Sequence, residues 1–148
     1  MTAKASSVYE QEDSTWGPQL AIDGKISNSN HSIYHSNGER NPWLEIDFGG
    51  CKTVTLVRIK HRVDCCIERF KNAQLSLYTE NDEKRTNKAQ LNFDGPAQAN
   101  QPTDFDFLTP TNAHGLFLEL EGIAILQVLI IAPLLICYVG MRHFNLGE

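Results

Sequence analysis

Seven short runs rich in β-branched and aromatic residues divide this chain: Trp43–Phe48, Thr53–His61, Ala73–Tyr78, Leu91–Phe93, Phe105–Leu108, Leu116–Leu120 and Ile123–Ile131. Polar or Gly/Pro-containing segments separate them, and no stretch carries a convincing amphipathic-helix pattern. Short strands with no helices to cover them bury their faces against one another. An all-β fold is therefore predicted, an antiparallel β-sandwich or jelly roll. Phe105 and Phe107 share one face, with Asp104 and Asp106 opposite. Thr53–Lys60 alternates partly, setting Val54, Leu56 and Arg58 against Thr55, Val57 and Ile59. Asn81–Lys88 reads as a solvated loop tip and Pro96–Pro102 as another loop.

A chain of 148 residues is one domain, large enough to bury a core. Its net charge of −5 opposes a nucleic-acid partner, whose phosphates demand a basic face. The basic stretch Arg58–Lys71 is interrupted by Asp64 and Glu68. Four cysteines are compatible with a secreted protein, and the Cys65-Cys66 doublet favours an oxidising compartment if it is bridged. Met1-Thr2-Ala3-Lys4 leads into domain-like sequence with no signal-peptide pattern, which leaves the compartment open.

Ile123–Val139 is apolar except for Gln127 and Pro133. Its length lies at the short limit for a membrane span of about 17–25 residues. Pro133 and the β-branched content favour a closing core strand to about Ala132, a turn, and a further strand Leu134–Val139. Membrane insertion is not expected. The domain is accordingly 1–132, with 133–148 as an extension packed on it.

His35, Arg62, Asp64 and Arg69 form the pattern His-x26-Arg-x-Asp-x4-Arg, with Cys65-Cys66 inside the last gap. Two guanidiniums and an imidazole supply many hydrogen-bond donors and no nucleophile, which suits gripping vicinal hydroxyls better than breaking a bond. Arg62 and Asp64, two apart at the end of a strand, leave on the same side, so Asp64 can hold a guanidinium in place. Arg69 follows a four-residue loop, at the start of the next strand. Taken alone, such an Arg/Asp pair is more often a surface ion pair.

This spacing, the adjacent cysteines and the segment Asn41-Pro42-Trp43-Leu44-Glu45-Ile46-Asp47-Phe48 resemble the F-type lectins, a fucose-binding family, over about Lys4 to Ile130. The resemblance implies a discoidin-like β-sandwich with binding loops gathered at one end, and a secreted protein of cell recognition or innate immunity. It implies that His35, Arg62 and Arg69 bond the hydroxyls and ring oxygen of terminal α-L-fucose while Asp64 orders the arginine side. The partners would be fucosylated glycans on glycoproteins or glycolipids, with a homo-oligomer adding avidity.

Adjacent cysteines have Cα atoms about 3.8 Å apart, below the usual disulfide range, so most doublets are unbridged or bridged elsewhere. In the family the pair closes on itself and its flat face packs against the sugar. Cys51 and Cys137 would then be bridged or left as two free thiols. The resemblance also implies a structural calcium under the binding loops. Its ligands would be Asp23, the carbonyls of Leu20 and Lys25, Ser32, and Gln127 in place of the family's glutamate. A family disulfide is replaced by Ile33 and Leu126, so packing has to join those strands. The loop Asn28-Ser29-Asn30 lacks the aromatics that cradle the fucose methyl; Trp16, Tyr9 and Tyr34 are the substitutes at hand, and Trp43 is expected in the core.

Two other functions compete. A discoidin-like adhesion module would bind protein or phospholipid through apolar loop tips, whereas the tips here read as polar. A glycosidase would need two carboxylates in one cleft. Asp23, Asp47 and Asp64 are the candidates, and the first two belong to an ion site and a core-flanking strand.

Overall fold

The computed structural model describes residues 1–25 and 33–137. Its strands are β1 (Thr2–Ala5), β2 (Tyr34–His35), β3 (Glu39–Arg40), β4 (Trp43–Lys60), β5 (Ala73–Asn81), β6 (Lys84–Phe93), β7 (Thr103–Leu120), β8 (Ile123–Ala124), β9 (Gln127–Ile131) and β10 (Leu134–Ile136). Helical structure among the described residues is limited to α1 (Asp13–Trp16) and 3-10 turns at Tyr9–Gln11, Pro18–Ile22 and Ile67–Arg69. All strand pairs are antiparallel, in the order β2-β9-β4-β7-β5-β6, with β1 and β10 also on β4 and β3 paired to β8.

β4 and β7 are 18 residues each and pair from Trp43↔Glu119 to Ile59↔Thr103. The register shifts between Asp47 and Lys52 and again between Val54 and Leu56. Gly49, at φ +79, takes the first shift without a Cβ penalty, and the Asp47 carboxylate accepts its N–H at 2.8 Å. Such irregularities bend a strand, so one ribbon contributes to both layers of the sandwich. One half carries β1 and β5; the other carries β9 and β10. Leu44, Ile46, Val57, Ile59, Leu75, Phe105, Leu116 and Leu118 fill the space between.

The strands are longer than the sequence runs imply. Trp43–Phe48 and Thr53–His61 are one strand, as are Phe105–Leu108 and Leu116–Leu120. Gly and Pro between them look like loop punctuation, yet the ladder runs through as bulges. The second shift also explains why Val54, Val57 and Ile59 are all buried although strict alternation splits them. Asn81–Lys88 is mostly strand: β6 starts at Lys84 and forms an outer edge with Lys84, Arg85 and Lys88 exposed. Trp43 lies outside the core, stacked on Phe117 at 5.4 Å on the opposite face of the β4–β7 ladder.

The apolar C-terminal run is folded as β8, β9 and β10, with β9 between β2 and β4. No helix among the described residues is long and apolar enough to cross a membrane. Ile33 and Leu126 are both buried, and Ser36 joins their segments, donating its N–H to the Leu126 carbonyl and accepting the Leu126 N–H. Past Pro133, β10 pairs Val54–Lys52, and Cys137 is bonded to Cys51 with Cα atoms 5.6 Å apart. That bond closes a loop 86 residues long. Restricting so long a loop in the unfolded chain stabilises by about 2–4 kcal/mol. A Cys51→Ser/Cys137→Ser variant should lose about that much in urea unfolding, with a near-native far-UV spectrum retained; unchanged stability would mean that sheet pairing alone secures β10.

Candidate functional site

β4 ends at Lys60, and the twelve residues before β5 form the loop that carries Arg62, Asp64, the two cysteines and Arg69. Arg62 and Asp64 therefore lie just past the strand rather than on its last residues, and Arg69 closes a 3-10 turn rather than opening β5. They still meet. Arg62 Nε and Nη2 donate to the two Asp64 carboxylate oxygens at 2.6 and 3.1 Å, a fork that fixes the guanidinium plane and leaves Nη1 outside that pairing.

The loop is anchored from below. Phe70 is buried, its carbonyl accepts the Ala97 N–H at 2.9 Å, and its ring lies 4.7 Å from that of His61. His61 Nε2 is 2.7 Å from the Thr103 hydroxyl, and burial pushes the imidazole pKa down to about 4. Nothing in the sequence separates His61 or Phe70 from ordinary strand-end residues.

His35 comes from β2, paired with β9 so that it stands opposite Gln127. It is only 4% exposed. Its Nδ1 lies 2.7 Å from the Ser36 carbonyl, which can only accept, so Nδ1 carries the proton. Burial lowers the pKa of the ring; the Ser36 carbonyl opposes this, and the Arg62 and Arg69 charges lower it further. A neutral ring protonated at Nδ1 presents Nε2 as an acceptor. The two guanidiniums thus lie close enough to act on His35, and donors and an acceptor converge.

Tyr9 and Trp16 stand over His35, with ring centroids at 4.4 and 5.1 Å. The segment bearing them is stitched to residues 34–43. Tyr34 donates to the Ser7 carbonyl at 2.6 Å, the Ser7 hydroxyl bonds Glu39 and accepts the Asn37 N–H, and the Ser6 hydroxyl accepts the Trp43 N–H. Tyr34 itself is fully buried, and burial raises its phenol well above the ordinary range. Of the three aromatics that the sequence offers, Tyr9 and Trp16 are therefore those beside His35. Long-range bonds across about thirty residues place them, which no local pattern announces.

Cys65 and Cys66 are bonded to each other, Cα atoms 3.7 Å apart, with Cys66 at φ +71. Cys66 lines a small pocket with Arg62, Arg69, His61 and Gln127. No free cysteine remains. Of the loop-tip residues, Val63 between Arg62 and Asp64 is 52% exposed, so the tip is less polar than expected.

The structure describes part of the implied calcium set. Leu20 and Asp23 bracket the end of the 3-10 turn Pro18–Ile22, and Asp23 Oδ1 accepts the Lys25 N–H at 2.9 Å. One carboxylate with neighbouring carbonyls suits a hard cation. Ser32 and the loop Asn28-Ser29-Asn30 lie outside the described residues. Gln127 is buried and lines the pocket of the two arginines, and its Nε2 has no hydrogen-bond partner among the described residues. No cluster of three or more His, Cys, Asp or Glu suited to a metal occurs among the described residues. The three candidate glycosidase carboxylates serve separate local structures: Asp23 its own turn, Asp47 the Gly49 bulge and Asp64 the Arg62 fork.

Comparison with known proteins adds to this geometry. The family model described as NedA-like, galactose-binding domain, of F5/F8 type C, matches residues 20–116. The chain is 44% identical over 59 residues to a fucolectin of Anguilla anguilla, covering 38% of this chain and 37% of that one. It is 26% identical over 113 residues to fucolectin-1 of Anguilla japonica, covering 75% and 64%. The chain thus spans less than two thirds of the length of these relatives. The lectin domain of lectinolysin, complexed with Lewis B antigen, superposes with a TM-score of 0.76 at 24% identity over 89% of this chain and 91% of that domain. At that identity the likeness is one of fold.

His61 sets a pH dependence of stability. Its native pKa of about 4 lies below its unfolded value near 6.5, so between these limits the unfolded chain binds the extra proton. The contribution of His61 is complete above about pH 6.5 and is lost as pH falls through about 4. His35 adds in the same direction. Denaturant titrations at several pH values should show a shallower loss over this window in His61→Gln than in wild type. Parallel profiles would place the histidine in an ordinary solvated environment.

Proposed function

The chain belongs to the F5/F8 type C family of NedA-like, galactose-binding domains, and from that membership and the discoidin-like fold of the F-type lectins we propose a lectin that holds terminal L-fucose on glycoproteins or glycolipids without catalysis. The observation that carries this is the convergence of neutral His35 with Arg62 and Arg69 beside a vicinal disulfide. A sugar hydroxyl both donates and accepts, so it satisfies an arginine N–H and the His35 Nε2 lone pair together. An unprotonated phosphate or carboxylate would set its lone pairs against that of Nε2. Asp64 holds the Arg62 fork in plane, while Tyr9, Trp16 and the disulfide offer apolar faces for the C6 methyl. Reversible binding needs no acid–base pair, and the separately engaged carboxylates supply none.

The two disulfides and the match to fucolectins support an extracellular setting. Several copies of a weak monovalent site would gain avidity, which fits a homo-oligomer. Calcium at the Leu20–Lys25 turn, with Ser32 contributing, would brace the loop that leads to His35. Excess chelator should then lower the melting temperature relative to added calcium; superimposable melts would dismiss the ion.

Exposed Val63 and Ile123 favour a second reading, an adhesion module that inserts apolar tips into a protein or phospholipid partner. Titration with L-fucose and D-galactose separates the two. Wild type should bind L-fucose, and folded His35→Ala and Arg69→Ala variants should lose about 1.5–3 kcal/mol of affinity, a roughly ten- to hundredfold change. Arg62→Lys should also weaken binding, since a point charge cannot reproduce the fork. Full affinity in these variants would detach the three residues from the sugar, and no fucose binding by wild type would favour the adhesion module.

A further inference from the structure

Gln127, which the family resemblance makes a calcium ligand, also faces the arginine loop. The residue is 6% exposed and lines the same pocket as Arg62, Arg69 and Cys66, directly across the β2–β9 ladder from His35. A pocket holding two guanidiniums repels a divalent cation. The Gln127 Nε2 has no hydrogen-bond partner among the described residues, although burying an amide donor without one costs about 1–3 kcal/mol. The pocket is about 10 Å³, room for a single oxygen and too small for a sugar ring.

We infer that Gln127 is a fourth sugar-binding residue, whose amide donates to one hydroxyl of the bound monosaccharide inserted between Arg62 and Arg69. This rests on the fucose-binding reading above and deepens it. Gln127 would be a residue that discriminates among sugars, because a site with a buried donor rejects a ligand unable to pair it. The glutamine amide supplies a donor here, whereas an ionised carboxylate could only accept.

The experiment is calorimetric titration of wild type, Gln127→Met and Gln127→Glu with L-fucose and its 2-, 3- and 4-deoxy derivatives, beside melts with calcium and with chelator. Methionine fills similar volume without an amide, so Gln127→Met should keep or raise the melting temperature of the free domain while binding fucose roughly three- to tenfold more weakly. For one deoxy sugar, the one lacking the inserted hydroxyl, wild type and Gln127→Met should bind alike. Gln127→Glu should bind fucose more weakly still, with no larger calcium-dependent rise in melting temperature. Undiminished fucose binding by Gln127→Met, or a gain in calcium stabilisation in Gln127→Glu with fucose binding retained, would overturn this assignment and leave the lectin reading standing. Wild type that binds no fucose would overturn both.

Discussion

The long antiparallel ladder between β4 and β7 is the constraint on which the other elements depend. Every layer of the sandwich hangs on one of these two strands. β1, β9 and β10 pair with β4, β5 pairs with β7, and β6 and β2 are added beyond them. The ladder can serve both layers only because it is interrupted, at Asp47–Lys52 and at Val54–Leu56. A straight ribbon of that length would make one flat sheet and leave half of its apolar side chains in water. Contacts of this kind join residues far apart in the sequence, as Trp43 with Glu119, so the order that they impose is collective rather than local.

The arginine loop follows from that geometry. It leaves β4 where the strand has just paired β9, so the end of β4 and the start of β9 are neighbours, and with them Arg62 and Gln127. β2, added outside β9, brings His35 to the same place. The N-terminal segment is then drawn over His35 by Ser6, Ser7 and Tyr34. Four separate stretches of chain converge there, two of them strands, β2 and β9, and one the arginine loop. Desolvation sets the chemistry: a buried imidazole next to two guanidiniums stays neutral, and the Ser36 carbonyl decides which nitrogen holds its proton.

The sequence discloses what is local or periodic. Phe105 and Phe107 against Asp104 and Asp106 predict an exposed-and-buried ribbon, and the burial follows that alternation. The Arg62–Asp64 fork was equally legible, since two residues of spacing suffice to bring the groups together. Strand lengths were hidden, because Gly49-Gly50 spells a turn on paper and a bulge in the ladder. Trp43 was misplaced for a related reason: apolar character does not say which face of a strand looks inward, and Phe117 supplies an outer partner that the pattern around Trp43 does not reveal. Tyr9, Trp16 and the amide of Gln127 were recognisable as side-chain types, but their positions depend on tertiary bonds and on cross-strand register.

The β6 edge sets a limit on how copies of this domain can associate. A terminal strand has unpaired N–H and C=O groups along one side, which could template a strand from a neighbouring molecule. Here the strand opens with Lys84 and carries Lys88 further on, both exposed, while Arg85 between them is paired with Glu45 and Glu80. A second β6 drawn alongside would bring these cations near its own before the hydrogen bonds could form. An edge charged in this way opposes the strand-to-strand stacking that seeds a fibre, whatever else brings copies together.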